Sequence, residues 1–382
     1  MIYFDNNATT RIASEVFDAM TPYLADEYGN PSSGHAVGRR ARSAVNEARE
    51  QVATLLGAAS PAEIVFTATG SESDNWAIRG ALAAAPEKRH IITTKVEHEA
   101  VSKLCRTLEI DGCRVTQLDV DTEGSLDLDQ LTAALGPETA IVSVMLANNE
   151  TGILFPVAEV AEIVKEHSDA LFHVDAVNAA GKVPIDVNST KIDLLSISGH
   201  KFHGPKGVGA LYIRTGVTLP SCVVGGGQEA GRRAGTEAVH QIVGIGAAAK
   251  LAGDLAAMPR VMALRDRLES EILNRIPNSR LNGTADTAKR LPNTSNISFE
   301  NTNGEMIMAG LDDRGICVST GSACHTQDHT ASSVLQAMNV PYAWAMGSVR
   351  FSLGRYNSDD EVTTVIEELQ AIVSRSRSMS AS

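Results

Sequence analysis

Long apolar runs, paired cysteines and a surplus of basic charge are all missing from this sequence. No stretch of the 382 residues approaches the length of a transmembrane span. The opening MIYFDNNATT has neither a basic n-region nor an apolar h-region, so a cytoplasmic protein is expected. Cys105, Cys113, Cys222, Cys317 and Cys324 form no CxxC pair and no short-spaced cluster, which argues against a zinc knuckle and a disulfide framework and leaves reduced thiols as the default. With 46 acidic against 33 basic residues the formal net charge is −13, and the chain as a whole offers no basic surface for direct nucleic-acid binding. There is no internal repeat and no low-complexity linker.

What is present is an alternation of short apolar runs with helical patterns, which argues for a mainly parallel sheet with helices on both faces, an α/β fold. The clearest strand candidates are Glu63–Thr67, His90–Thr93, Ala140–Leu146, Leu171–Val174, Leu194–Ile197 and Val208–Ile213. Between residues 38 and 56 Ala41, Val45, Ala48, Val52 and Leu55 recur at helical spacing, and Gly57 supplies the stop. The stretch 239–276 reads as two helices broken around Met258-Pro259. After Asn278 the order becomes strand, helix, strand, helix over Thr294–Phe299, Gly304–Arg314, Ser348–Leu353 and Asp359–Arg375. The expected organisation is a large domain over 15–255 and a small α+β domain made of 1–14 and 256–382.

Ser198-Gly-His-Lys201, followed by Phe-His-Gly-Pro-Lys-Gly, closes the apolar run Ile192–Ile197. A lysine delivered at the end of a buried strand in a Gly/Pro-rich turn is where a pyridoxal phosphate (PLP) enzyme needs an amine. A surface lysine would be the ordinary explanation for Lys201 alone. Asp175, at the end of the run Ala170–Val174, changes the balance, because an acid there can hold a protonated pyridine nitrogen. Ligands of open parallel sheets gather at the carboxyl ends of strands, and the turn after Ile64–Thr67 opens a helix with Gly70 and Ser71. Their N–H groups and hydroxyl make a phosphate site, although a helix cap would use the same residues. Ser198 and His200 could supply further donors, and three separated segments converging on one dianion favour the phosphate.

The segments DNNATT (5–10), TGSESDN (69–75), EHEAV (97–101), NNETG (148–152), HVDAVNAAGKVPID (173–186), SGHKFHGPKGVG (198–209), GGGQEAGRRAGT (225–236), STGSACHT (319–326) and VRFSLGRY (349–356) together resemble the NifS/IscS-type cysteine desulfurases of the class-V aminotransferase family. The likeness spans almost the whole chain in the family's order. It implies PLP fold type I, aspartate-aminotransferase-like, with a seven-stranded mainly parallel sheet in the large domain. It also implies a homodimer that converts L-cysteine to L-alanine, keeps the sulfur as an enzyme persulfide, and passes it to an acceptor protein in iron–sulfur cluster assembly, tRNA thiolation or DNA phosphorothioation. Rival readings on the same scaffold are a selenocysteine lyase, another PLP-dependent aminotransferase-like enzyme, and a non-catalytic sulfur-relay subunit.

Residue by residue, the resemblance makes Lys201 the Schiff-base lysine, Asp175 the pyridine-nitrogen partner and His98 a catalytic residue that stacks on the ring and acts in proton transfer. Asn178 stands where these enzymes commonly carry a Gln toward the phenolic oxygen, one methylene short. Gly70, Ser71, Ser198 and His200 would hold the phosphate, with Thr236 reaching across from the other subunit. Arg350 would clamp the substrate carboxylate, for which a bidentate guanidinium is suited, and Asn149 would assist it. Cys324 would be the sulfur-accepting nucleophile. It lies in a polar run with no strand or helix period, as a mobile exposed loop should. Cys317, between Ile316 and Val318, suits a strand, and Cys105 suits helix packing. His325 and His329 flank the nucleophile and could lower its pKa as cations. A metal held by these three would block the chemistry, so no metal is expected.

Overall fold

A computed structural model describes residues 1–320 and 331–380 of the chain. The strands are β1 (Ile2–Tyr3), β2 (Ile64–Thr67), β3 (His90–Thr94), β4 (Arg114–Leu118), β5 (Thr139–Met145), β6 (Leu171–Asp175), β7 (Leu194–Ser198), β8 (Gly209–Ile213), β9 (Ser279–Leu281), β10 (Thr294–Phe299), β11 (Ile316–Cys317) and β12 (Ser348–Ser352). Seven of them form one sheet in the order β2-β8-β7-β6-β5-β3-β4. Only β8 runs against its neighbours; β7, β6, β5, β3 and β4 are parallel. This is the expected mainly parallel α/β sheet. Strands covered on both faces read as apolar runs rather than alternating ones, which is why β2, β5 and β7 stand out in the sequence. The edge strand β4 is only half-buried and polar, and it carries no such run.

The helix Ala36–Leu56 packs Ala41, Val45, Ala48, Val52 and Leu56 inward and ends at Gly57. Gly57 has φ 64°, a left-handed cap that glycine adopts at no steric cost. That helix, Val157–His167 and Val239–Gly253 cover one face of the sheet, while Gly70–Ala84 and Glu99–Ile110 cover the other. The break expected at Met258-Pro259 falls slightly earlier. The first helix ends at Gly253, and Pro259 sits in the first turn of the next, Met258–Arg275, where its missing N–H costs nothing.

A separate apolar cluster surrounds the three-stranded antiparallel sheet β12-β10-β9. It draws Phe4 from the N-terminus, Val261, Leu264 and Leu268 from Met258–Arg275, and Val362, Ile366 and Leu369 from the helix Asp359–Ser380. β1 pairs in parallel with β11, so the first residues of the chain join this cluster. Among the described residues no single helix is long and apolar enough to cross a membrane.

Candidate active site

The carboxyl ends of β5, β6 and β7 open into a cleft of about 740 Å3. Its lining includes Gly70, Ser71, His98, Asn149, Asp175, Asn178, Ser198, His200, Lys201 and Arg350. Residues expected from sequence to form one site, and drawn from positions 70 to 350, are therefore brought together. Thr236 is exposed and is not among the residues lining the cleft of its own chain. Cys324, His325 and His329 lie outside the described residues. Thr320 and Ala331, which flank that segment, both line the cleft.

One end of the cleft is built for an anion. Thr69 caps the helix Gly70–Ala84 by accepting a hydrogen bond from Glu72 N, so Gly70 and Ser71 occupy the first helical positions, where N–H groups have no intrahelical partner. A Cβ on Gly70 would stand 2.6 Å from Val177 Cγ2, so only glycine lets this turn lie against the loop after β6. Ser198 and His200 close the same end. His200 Nδ1 lies 3.2 Å from Thr9 Oγ1, and burial pulls its pKa down to about 4, which leaves the ring neutral.

The floor is acidic. Asp175 ends β6 with Oδ1 accepting from Val177 N at 2.8 Å. Burial raises its pKa, while His98, the Val177 N–H and Lys201 act in the opposite direction. Beside it Glu97 Oε1 accepts from Thr94 Oγ1 at 2.8 Å and from Met145 N at 3.0 Å, but its Oε2 has no partner. Burial pushes the Glu97 carboxyl up to about 8. Asp74, on the helix above, is buried as well and leaves Oδ1 unpartnered. His98 heads the helix Glu99–Ile110 and caps it, Nδ1 accepting from Ala100 N at 3.1 Å.

Opposite lies a basic wall. Lys201 Nζ donates to the carbonyls of Asn7 at 2.5 Å and Ala8 at 3.0 Å. Burial, and next the Arg350 charge, lower its pKa to about 8, so far more of the amine is neutral and nucleophilic near neutral pH than for an ordinary lysine. Arg350 Nη2 pairs with Asp5 Oδ1 at 2.7 Å, and Nη1 donates to the Asn149 carbonyl at 3.0 Å. Asn149 thus meets Arg350 through its backbone, and Nε of Arg350 is buried without a partner. Lys182, also buried, donates to Asn178 O at 2.7 Å and Oδ1 at 3.1 Å, which leaves Asn178 Nδ2 unpartnered. Glu150, held up to about 7 by burial, accepts from Ser332 Oγ at 2.5 Å.

Asp5, Asn7, Ala8, Asp74, Glu97, Glu150 and Lys182 were given no role on sequence grounds, although each lies inside a recognised motif. The roles of Asn7 and Ala8 are carried by backbone carbonyls, which no side-chain pattern announces.

A helix N-terminus for an anionic arm, a buried carboxylate at the far side, orphaned polar atoms on Glu97 and Asn178, and a lysine with a lowered pKa between them fit PLP in shape and charge. The fold and cleft define the class, an enzyme that works with this cofactor. The family model for class-V aminotransferases matches residues 2–365, and the chain belongs to that PLP-dependent family. It is 53% identical to a cysteine desulfurase of Trichormus azollae, an alignment covering 100% of this chain and 94% of that one. Among solved structures, a NifS-like protein superposes with a TM-score of 0.91 at 39% identity, covering 98% of this chain and 99% of the other. The structure described as SspA in complex with cysteine gives 0.82 at 36% identity, with 94% and 100% covered.

Proposed function

We propose that this protein is a cysteine desulfurase that works as a cytoplasmic homodimer. The net reaction is L-cysteine plus an enzyme thiol giving L-alanine plus an enzyme persulfide, which balances in atoms and charge. The observation that carries the reading is the convergence of Lys201, Asp175 and Arg350 on one cleft bordered by both flanks of the segment that holds Cys324. Full-length similarity to proteins named cysteine desulfurases supports it.

PLP when bound supplies an electron sink for charge released at the substrate's Cα. Lys201 would hold it and would also be the base placed to move a proton at Cα. Asp175 would take the ring nitrogen, His98 would cover the ring face, and Gly70, Ser71, Ser198 and His200 would receive the phosphate. Thr236, exposed and away from its own cleft, completes the cradle of the second subunit. Arg350 takes the substrate carboxylate, beside Asn149. Asn178 lines the cleft, and its buried Nδ2, which has no partner, would be the donor toward the phenolic oxygen in place of the longer Gln.

Cys324 is assigned the last step: its thiolate attacks the substrate Sγ, the Cβ–S bond breaks, and a proton reaches Cβ as alanine forms. Thr320 lines the cleft four residues before Cys324, a tether of at most about 14 Å when extended. The enzyme unit divides into a large domain, residues 15–255, and a small domain formed by residues 1–14 together with 256–382. An acceptor protein then removes the sulfane sulfur.

Cys324→Ser tests the assignment. The variant should bind PLP and cysteine with an altered cofactor spectrum, yet release essentially no alanine and carry no persulfide. Alanine formation at the wild-type rate, or a persulfide on Cys317, would assign the chemistry elsewhere.

A further inference from the structure

Behind the cleft sits a lysine that the desulfurase reading does not use. Lys182 is buried, yet it is not among the residues that line the cleft. Among the described residues no carboxylate pairs with its amine, and a buried amine without an acid partner is costly. Both hydrogen bonds of its Nζ go to one residue, Asn178, at 2.7 Å to the carbonyl O and 3.1 Å to the side-chain Oδ1. The first contact alone would be an ordinary way to satisfy a backbone carbonyl in a turn. The second fixes a side chain.

The turn after β6 holds this pair in place. Ala176, Ala179 and Ala180 are entirely buried. Gly181 has φ 74°, and a Cβ there would stand 2.8 Å from Ala252 Cβ and 2.9 Å from Phe202 Cβ, so glycine lets the turn press against the residue that follows Lys201. Asn178 therefore has a fixed backbone and one open choice, which way round its amide lies. The two arms of an amide differ in character, Oδ1 accepting and Nδ2 donating. Lys182, as ammonium or as neutral amine, has N–H groups enough for both of its contacts, whereas the reversed amide would set a donor against the donating amine. With Oδ1 taken, Nδ2 is left buried and unpartnered on a residue that lines the cleft, a donor free for a group bound there.

We propose that Lys182 is a positioning residue for the cofactor: by holding Oδ1 of Asn178 from behind the cleft, it fixes the side-chain amide with Nδ2 as the donor to the phenolic oxygen of PLP. The inference rests on the reading that Asn178 meets that oxygen. In agreement, burial, and next the charges of Lys201 and Arg350, hold the Lys182 amine well below its ordinary range, which removes the need for an acid partner and leaves donors in place.

A double-mutant cycle on the holoenzyme reads the coupling. Its two signals are the Kd for PLP and the pH midpoint of the absorbance of lysine-bound PLP. The midpoint rises when the phenolic oxygen loses a donor, because that oxygen then holds the linkage's proton more tightly. Asn178→Ala should weaken PLP about fivefold and raise the midpoint. Lys182→Met keeps the apolar stem and removes the donors, so it should weaken PLP about threefold to fivefold and raise the midpoint as well. Once residue 178 is alanine, the same change should weaken PLP by less than about twofold and leave the midpoint in place. Effects that persist in the Asn178→Ala background overturn the proposal, because Lys182 would then act through its charge or its packing. If Asn178→Ala itself moves neither signal, the reading of Asn178 fails, and the proposal falls with it. A crystal structure of the wild-type holoenzyme decides the matter even if Lys182→Met does not fold. The Asn178 amide should bridge Lys182 Nζ and the phenolic oxygen; an amide that has left Lys182 overturns the proposal.

Discussion

The two sides of the cleft are opposite in charge and alike in strategy. On the floor Asp74, Glu97 and Asp175 sit together, and burial raises all three carboxyls. On the wall Lys201 and Arg350 sit together with Lys182 buried behind them, outside the cleft lining, and burial lowers both amines. Each side is a like-charge cluster taken out of water, which a folded protein tolerates only when most members are neutral or matched. On the floor burial favours the neutral acids, and the charges of His98 and Lys201 favour the ionised form of Asp175. The wall ties Arg350 to Asp5 and lets its amines give up protons. The difference lies in which groups stay charged, one acid against one arginine, and a ligand bearing a ring cation and a carboxylate is the complement.

Removing the lysine breaks the wall most severely. Lys201→Ala should abolish covalently held PLP while the protein stays folded, because the phosphate end is built from other segments. Reduction that still fixes the cofactor to a lysine in this variant would reassign the anchor. Arg350→Ala should raise KM for cysteine by a factor matching about 2–4 kcal/mol, the loss expected for a charge-assisted carboxylate contact. An unchanged kcat/KM would mean that the carboxylate is held elsewhere.

The amine's shifted pKa gives a gentler test. Apoenzyme should take up PLP with a rate that rises with pH around a midpoint near 8, since the neutral amine is the nucleophile. A midpoint near the ordinary lysine value would show that the wall does not tune it.

The smallest effect belongs to the floor. Glu97 has its folded pKa raised to about 8, so between the unfolded value near 4.5 and 8 the folded apoprotein binds the extra proton. Its contribution to stability is present below that window and is lost as pH rises through it. Glu97→Gln should therefore flatten the fall of apoprotein Tm between pH 5 and 8.5 by a few degrees. An identical slope in the two proteins would mean that Glu97 is already ionised.

The parallel strands were legible because burial on both faces writes them as apolar runs, and the polar edge strand Arg114–Leu118 was hidden for the complementary reason. Lys201, Asp175 and Gly70 could be read because each is a residue type that the chemistry demands at a strand end or turn, whereas Arg350, in the middle of β12, was read only from the family motif. Other partners could not. Arg350 meets Asp5 across nearly the whole length of the chain, and Lys201 is held by the carbonyls of Asn7 and Ala8. Asn149, expected to assist Arg350, meets it through its backbone carbonyl. Backbone acceptors and contacts between distant segments leave no local pattern, so only the folded chain reveals them.

Borohydride reduction of the purified holoenzyme followed by peptide mass spectrometry tests the central claim most directly, because two lysines, Lys201 in the cleft and the buried Lys182 behind it, lie at this site and the account assigns the cofactor to one. The pyridoxyl group should appear on Lys201 alone. Its appearance on Lys182, or on no lysine in protein that carries PLP, would contradict the assignment.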